Sequence, residues 1–303
     1  MRTLVIVSQD KSDIYFANQL AKRLNVVGIV VENQIPERDC SPLPRKAMKY
    51  ASRPGLFLAK VAEVLDRRFV EPRQAYNYPG NSLDFGGDDR TLQPGEGVNV
   101  LYTRGPNDIN KAEYREWVRD QNPDIIAVCG ASILKSDMLS IPGHGVLNLH
   151  GGLAQFYRGL FTTDWAIHNS EPECIGATVH FVSEGVDDGD VVYQGRPGIE
   201  ERDNPNTLYR KVVELGVEMM ARAIWDIEHG RCHSTPLISK GRLYLNKDFN
   251  LAAKRRTWRK VADGVLSDYL ANKAGRDQRV LDSLINDFDA VKPEAGSTVS
   301  AST

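Results

Sequence analysis

The 303-residue chain contains no apolar stretch approaching the roughly 20 residues of a membrane-spanning helix, so no membrane partner is expected. Its opening, MRTLVIVSQDKSD, has too short an apolar run for a signal peptide and reads as a first buried strand. Cysteine is sparse: Cys40, Cys129, Cys174 and Cys232 are scattered and form no Cys-x-x-Cys pair. That excludes a disulfide framework or zinc site and fits free thiols in a reducing cytoplasm. Neither sign of charge prevails, since 38 Lys and Arg stand against 40 Asp and Glu for a net charge of −2. No global basic field is present to recruit DNA or an anionic membrane. No internal repeat is visible, and no Ser or Cys sits in a strand–turn–helix elbow that would mark a covalent nucleophile. What is left is a soluble cytoplasmic globular chain, long enough for one large domain with an appendage.

The apolar pattern supplies an α/β rhythm. Thr3–Ser8 is a β-rich run, KSDIYFANQLAKRL follows with Ile14, Phe16, Leu20 and Leu24 near helical spacing, and Asn25–Glu32 is a second buried-type strand. This βαβ opening predicts a mostly parallel central sheet covered by helices. Residues 34–96 break the rhythm and read as an insertion: a Pro-rich connection, a helical stretch interrupted at Pro54-Gly55, then turn-rich surface loops. Strands are expected again over Val98–Thr103, Asp124–Cys129, Gly145–His150, 176–183 and 190–199, with a helix over Asn107–Gln121. An amphipathic helix carrying Leu208, Val212, Leu215, Met219 and Ile224 should stop at Gly230. Beyond a catalytic domain over residues 1–235, a small C-terminal extension over 236–290 holds a strand or hairpin in GRLYLNKDFN and a basic helix over 251–273. Residues 291–303 form a polar tail that is expected to be disordered.

Three stretches carry chemistry. In LNLHGGLAQFYRG, Asn148 and His150 lie two apart on one strand face, just before Gly151-Gly152. In GATVHFVSEGVDDGD a strand runs into an acidic turn, and in CGASIL a strand end opens into a loop. The carboxyl ends of parallel strands gather at one sheet edge, where ligands bind. Amide, imidazole, carboxylate and an apolar slot in one place suit acyl transfer to an amine. The tetrahedral oxyanion needs N–H donors, and the amine must lose a proton to a carboxylate or a water it holds. Simpler readings exist for each part: a strand-capping histidine, a turn-forming Asp187-Asp188-Gly189-Asp190, and a solvated basic face over Lys254–Lys260. The acidic turn has neither a nearby liganding His nor calcium-loop spacing, so no metal is expected. His180, in mid-strand, reads as a packing residue.

LNLHGG…YRG followed by GATVHFVSEGVDDGDVVYQ resembles the folate-dependent formyltransferase superfamily, most closely its sugar-nucleotide N-formyltransferases. The resemblance runs over about residues 96–232. It implies a Rossmann-like formyltransferase fold and N10-formyltetrahydrofolate as formyl donor. By the same resemblance Asn148, His150 and Asp187 match the catalytic triad, and Ser132, Ile133, Leu134, Val182, Glu184 and Val186 match the folate-binding wall. SQDKSD stands where glycinamide ribonucleotide enzymes carry a Gly-rich phosphate loop, which disfavours a purine-pathway acceptor. About seventy residues follow the catalytic part, fewer than the β-barrel usual in enzymes acting on initiator tRNA, and Gln155 replaces the usual Pro.

The resulting expectation is an N-formyltransferase acting on a primary amine of a small molecule, a nucleotide-linked amino sugar, with a homodimer formed through the C-terminal extension. Alternatives are a methionyl-tRNA formyltransferase-like enzyme, a formyltetrahydrofolate hydrolase, and a non-catalytic folate- or nucleotide-binding protein.

Overall fold

The computed structural model describes residues 1–33, 54–65, 68–69, 83–183 and 185–291. Glu184, Cys40, most of the 34–82 stretch and the tail over 292–303 lie outside the described residues. β1 (Thr3–Ser8), α1 (Lys11–Arg23) and β2 (Val26–Glu32) form the expected opening unit. Then come α2 (Pro54–Leu65), β3 (Asn99–Tyr102), α3 (Ala112–Asp120), β4 (Ile125–Cys129), α4 (Ser136–Leu139) and β5 (Val146–His150). α2 is described from Pro54, whose missing N–H costs nothing in a first turn; the residues before it, on which the expected interruption depends, lie outside the described residues. The helix expected over Asn107–Gln121 is split. Asn107 is left-handed at φ 63°, a short 3-10 turn covers Asp108–Asn110, and α3 starts only after Lys111.

A seven-stranded sheet has the order β3-β2-β1-β4-β5-β7-β8, with β7 (Ala177–Phe181) and β8 (Val191–Gly195) at one side. Pairing is parallel from β3 through β5 and antiparallel for β5 with β7 and β7 with β8. Strand alternation divides the core. Val5 and Val7 point to one layer, while Leu4 and Ile6 point to the other. The first layer is closed by α6 (Pro205–Glu228), whose buried Leu208, Val212, Met219 and Ile224 follow the predicted stripe. Asn204 caps α6 with a complete capping box, Pro205 opens it, and Gly230 at φ 65° ends it.

β6 (Tyr157–Gly159) lies outside the large sheet and pairs in parallel with β9 (Arg242–Tyr244) from the C-terminal extension. The single basic helix expected over 251–273 is broken into α7 (Leu251–Ala262) and α8 (Val265–Ala271), separated by Gly264 at φ 88°. α9 (Lys273–Leu281) and α10 (Phe288–Val291) complete the chain as described. Trp258 is buried on α7, so this helix packs on the core as well as carrying its basic face. β9 is paired within its own chain by β6, which removes that side of the strand as a pairing edge for a second copy. The turn-rich segment 83–93 docks on α1. Asn18 donates to the carbonyls of Asp88 and Thr91 and accepts from Gln93 N–H, and Tyr15 stacks on Phe85 at 4.3 Å. Among the described residues, no helix is long and apolar enough to cross a membrane.

Candidate active site

The site begins with a register. β5 and β7 run antiparallel with Asn148 opposite His180 and His150 opposite Thr178, so these four side chains share one face. Asn148 Nδ2 lies 3.2 Å from His180 Nε2, while His180 Nδ1 lies 2.8 Å from the Phe181 carbonyl. A carbonyl only accepts, so Nδ1 carries the hydrogen. In the neutral ring Nε2 is then the acceptor that orients the Asn148 amide. The second amide hydrogen of Asn148 is left to face a ligand.

The acidic turn brings the carboxylate to the same place. Asp187 Oδ2 accepts from the Gly159 N–H at 2.8 Å and lies 3.3 Å from His150 Nδ1, and its Oδ1 lies 3.7 Å from His180 Nε2. Asp187 itself is left-handed, at φ 48°, a conformation that Asp tolerates better than most residues. Gly189 is required nearby, because a Cβ there would fall 1.8 Å from the Phe181 carbonyl oxygen. Burial alone would raise the Asp187 pKa. The charges of His150 and His180 and the Gly159 N–H outweigh that and hold it well below the usual carboxylate range.

His150 is buried, and its Nε2 lies 2.8 Å from the Tyr157 carbonyl. One ring nitrogen therefore faces a carbonyl and the other an ionised carboxylate, an arrangement that a doubly protonated imidazole satisfies on both sides. Gly152 makes this approach possible: a Cβ there would sit 2.8 Å from His150 Nε2 and 2.9 Å from Thr162 Cβ. The glycine pair after the strand is thus a packing requirement of the histidine.

Ser132, Ile133 and Leu134 follow β4. Ser132 N–H donates to Glu32 Oε2 at 2.6 Å, the Ile133 carbonyl accepts from Asn110 Nδ2, and Lys135 N–H donates to Asn110 Oδ1. Ile133 is 62% exposed, whereas Leu134 is buried in the core layer that Val182 also packs against. Val186 offers its carbonyl to Arg158 Nη1 at 3.1 Å. Leu134 and Val182 thus share an apolar layer, with Ile133 exposed next to Leu134 along the chain and the 132–135 backbone braced by the Glu32 and Asn110 side chains. This donor set fits a flat heterocycle such as the folate pterin. Glu184 lies outside the described residues.

Sequence reasoning brought Asn148, His150 and Asp187 together and missed His180, which the structure places between Asn148 and Asp187 rather than in mere packing. The antiparallel register of β5 and β7 makes Asn148 and His180 direct partners, and that register is not written in either strand alone. Also unforeseen was the buried group at the ends of β1 and β4. Asp13, in the first turn of α1, accepts from Ser8 Oγ at 2.5 Å and from Ser12 Oγ at 3.1 Å. Burial pushes its carboxyl up to about 6, partly offset by those hydroxyls and the Cys129 thiol.

The formyl transferase family model matches residues 80–224, which contain every one of these groups except Asp13 and its serine partners. Methionyl-tRNA formyltransferases are the curated relatives. That of Caldanaerobacter subterraneus is 32% identical over 137 residues, 45% of this chain and 43% of the relative. That of Halothermothrix orenii is 33% identical over 135 residues, 44% and 42% of the two chains. The chain thus spans less than half the length of the curated relatives it matches. Among solved structures, a 4-N formyltransferase from Francisella tularensis superposes with a TM-score of 0.50 at 15% identity, covering 86% of this chain and 87% of that one. A protein from Mycobacterium tuberculosis described as a likely sugar N-formyltransferase gives 0.51 at 15% identity, over 86% and 87%. These two likenesses establish the fold. The likeness to the formyl transferase family thus lies in residues 80–224, just under half of the chain, which hold the strand-end site described above.

Proposed function

We propose that the protein moves a formyl group from N10-formyltetrahydrofolate to the primary amine of a small molecule, a nucleotide-linked amino sugar. The observation that carries this reading is the closed array Asn148–His180–Asp187–His150 at the carboxyl end of β5, beside the apolar wall. When bound, the folate supplies an activated formyl carbonyl, with Ser132, Ile133, Leu134, Val182 and Val186 holding its ring. The chain's own groups do the rest. The free hydrogen of the Asn148 amide faces the oxygen that gains negative charge as an amine adds to a carbonyl. His150, whose ring Asp187 and the Tyr157 carbonyl hold in place, stands two residues further along the same strand face. Asp187 Oδ2 is occupied by Gly159 and His150, so Oδ1 is the side that takes the proton shed by the amine. Because its pKa is held low, the proton does not rest there but passes through water to the folate nitrogen, which departs with it as its bond to the formyl carbon breaks.

The sugar-linked acceptor is supported by fold neighbours that span 86% of the chain, including a sugar N-formyltransferase from Shewanella sp FDAARGOS_354. A second reading, transfer to methionyl-tRNA, has the curated relatives in its favour. In either case Asn148→Ala and His150→Ala should each lower kcat about 10²-fold while leaving the KM for the folate nearly unchanged, because both groups act on developing charge. Steady-state kinetics on the two variants make the check. Changes confined to KM would make these residues binding elements and overturn the assigned roles.

A further inference from the structure

The chain beside Asp187 is fastened at two points, and what lies between them is unexpectedly apolar and open. Gly159 N–H holds Asp187 Oδ2, and three residues further on Thr162 Oγ1 donates to the Gly151 carbonyl behind His150. Between these ties stand Leu160 and Phe161, 52% and 43% exposed. Phe161 has φ 57°, a left-handed backbone that a bulky residue rarely adopts, and its ring lies on Phe249 at 4.7 Å. The partner strand continues the feature. Leu243 on β9 and Leu245, one residue past the end of the strand, flank buried Tyr244 and are 37% and 44% exposed. Leu160 N–H donates to the Tyr244 carbonyl, and a Cβ on Gly159 would lie 3.0 Å from Leu243 Cδ1. Four large apolar side chains therefore crowd one rim of the site. Of the cations near this rim, Arg158 donates to the carbonyls of Gly241 and Val186, Lys240 pairs with Asp188, and Arg242 lies over the Tyr244 ring at 4.9 Å.

We propose that Leu160, Leu243 and Leu245, with Phe161 at the end, form the acceptor side of the centre and select an amine whose carrier presents an apolar face next to the nitrogen. The proposal rests on the reading above that the centre formylates an amine. Its basis is continuity: both ends of the Leu160–Phe161 pair are bonded to the neighbours of His150 and to Asp187, so the ledge lies where an amine approaching that carboxylate must pass. An apolar surface disfavours a hydroxyl on the carrier atoms that lie against it beside the nitrogen, because that hydroxyl loses water and gains no partner, while hydroxyls elsewhere on the carrier are unaffected.

Two primary amines, benzylamine and ethanolamine, serve as probes. In protein carrying methyl-labelled leucine, benzylamine should shift the methyl signals of Leu160, Leu243 and Leu245 in a saturable way, and ethanolamine should leave them in place. In formyl transfer, the ratio of kcat/KM for benzylamine over ethanolamine should fall about tenfold in Leu243→Ser/Leu245→Ser, and Leu243→Met should keep it. A thermal melt of each variant confirms that it is folded. Leucine methyls that ignore benzylamine, or that move only with protein concentration as a second copy covers them, would overturn the proposal. If benzylamine moves the methyls but no amine is ever formylated, the ledge stands and the formyltransferase reading fails.

Discussion

Two aspartates show how the same side chain is put to opposite uses. Asp187 is held ionised by two histidines and a backbone N–H, whereas Asp13 is buried among hydroxyls and resists ionisation. Their effects on stability should have opposite pH signs. For Asp187 the folded pKa lies below the unfolded 3.8, so its stabilisation is present at neutral pH and disappears as pH falls through and below that value. Asp187→Asn should therefore lower Tm at pH 7, with a gap that narrows toward pH 3, and should lower turnover at pH 7 by about 10²-fold. Turnover close to that of the parent protein would remove Asp187 from the reaction. For Asp13 the folded protein keeps a proton up to about pH 6 while the unfolded chain sheds it near 3.8, so stability falls as pH rises across that window. In melts of Asp13→Asn against the parent protein, Tm of the variant should gain on the parent between pH 4 and 6 and then hold level. A gap that does not change with pH would contradict a buried, proton-retaining Asp13. Of these residues, Asp187 was legible through its motif. Asp13 was not, since nothing in SQDKSD says that β4 will fold Gly130 down over it, to where a Cβ would lie 1.9 Å from Asp13 Oδ2. His180 was misread for the same reason: its role comes from a cross-strand partner.

At the scale of elements, what could be read locally was read well. α6 announces itself by Asn204-Pro205 at its start, an apolar stripe and Gly230 at its end, all signals within one segment. β1, β2, β4 and β5 are short apolar runs whose burial on both faces explains their uniform composition. The β6–β9 pair was not legible, because Tyr157–Gly159 and Arg242–Tyr244 are three residues each and more than eighty apart. Yet this pair fixes the site, since Gly159 contributes the N–H that anchors Asp187. A Cβ on Gly159 would fall 2.1 Å from the Tyr244 carbonyl oxygen, and its φ of 84° suits glycine. Gly159→Ala should therefore force the strands apart, lowering Tm by about 4 °C or more and turnover by at least about tenfold. Gly143→Ala, where a Cβ meets nothing within 4 Å, is the matched control and should change neither. Melting and turnover measured on both proteins decide it.

For the molecule as a whole, the sheet order places β5 where parallel pairing gives way to antiparallel, and this is what brings Asn148 opposite His180, on the same face as the strand-end His150. The C-terminal extension closes the arrangement from outside: β9 joins β6, and α7 packs against the helix Thr162–His168 that follows the ledge. The fold class and the placing of Asn148, His150 and Asp187 together could be taken from one sequence because they depend on strand-end motifs. The acceptor side could not, because it is assembled from two distant segments. The central claim is transfer to an amine at this centre. It is tested most directly by incubating the protein with N10-formyltetrahydrofolate and a panel of primary amines, amino-sugar nucleotides and methionyl-tRNA among them, and weighing the products by mass spectrometry. Loss of the formyl group from the folate should require an acceptor and yield one formylated amine per folate consumed. Equal consumption with no amine present, ending in free formate, would contradict it.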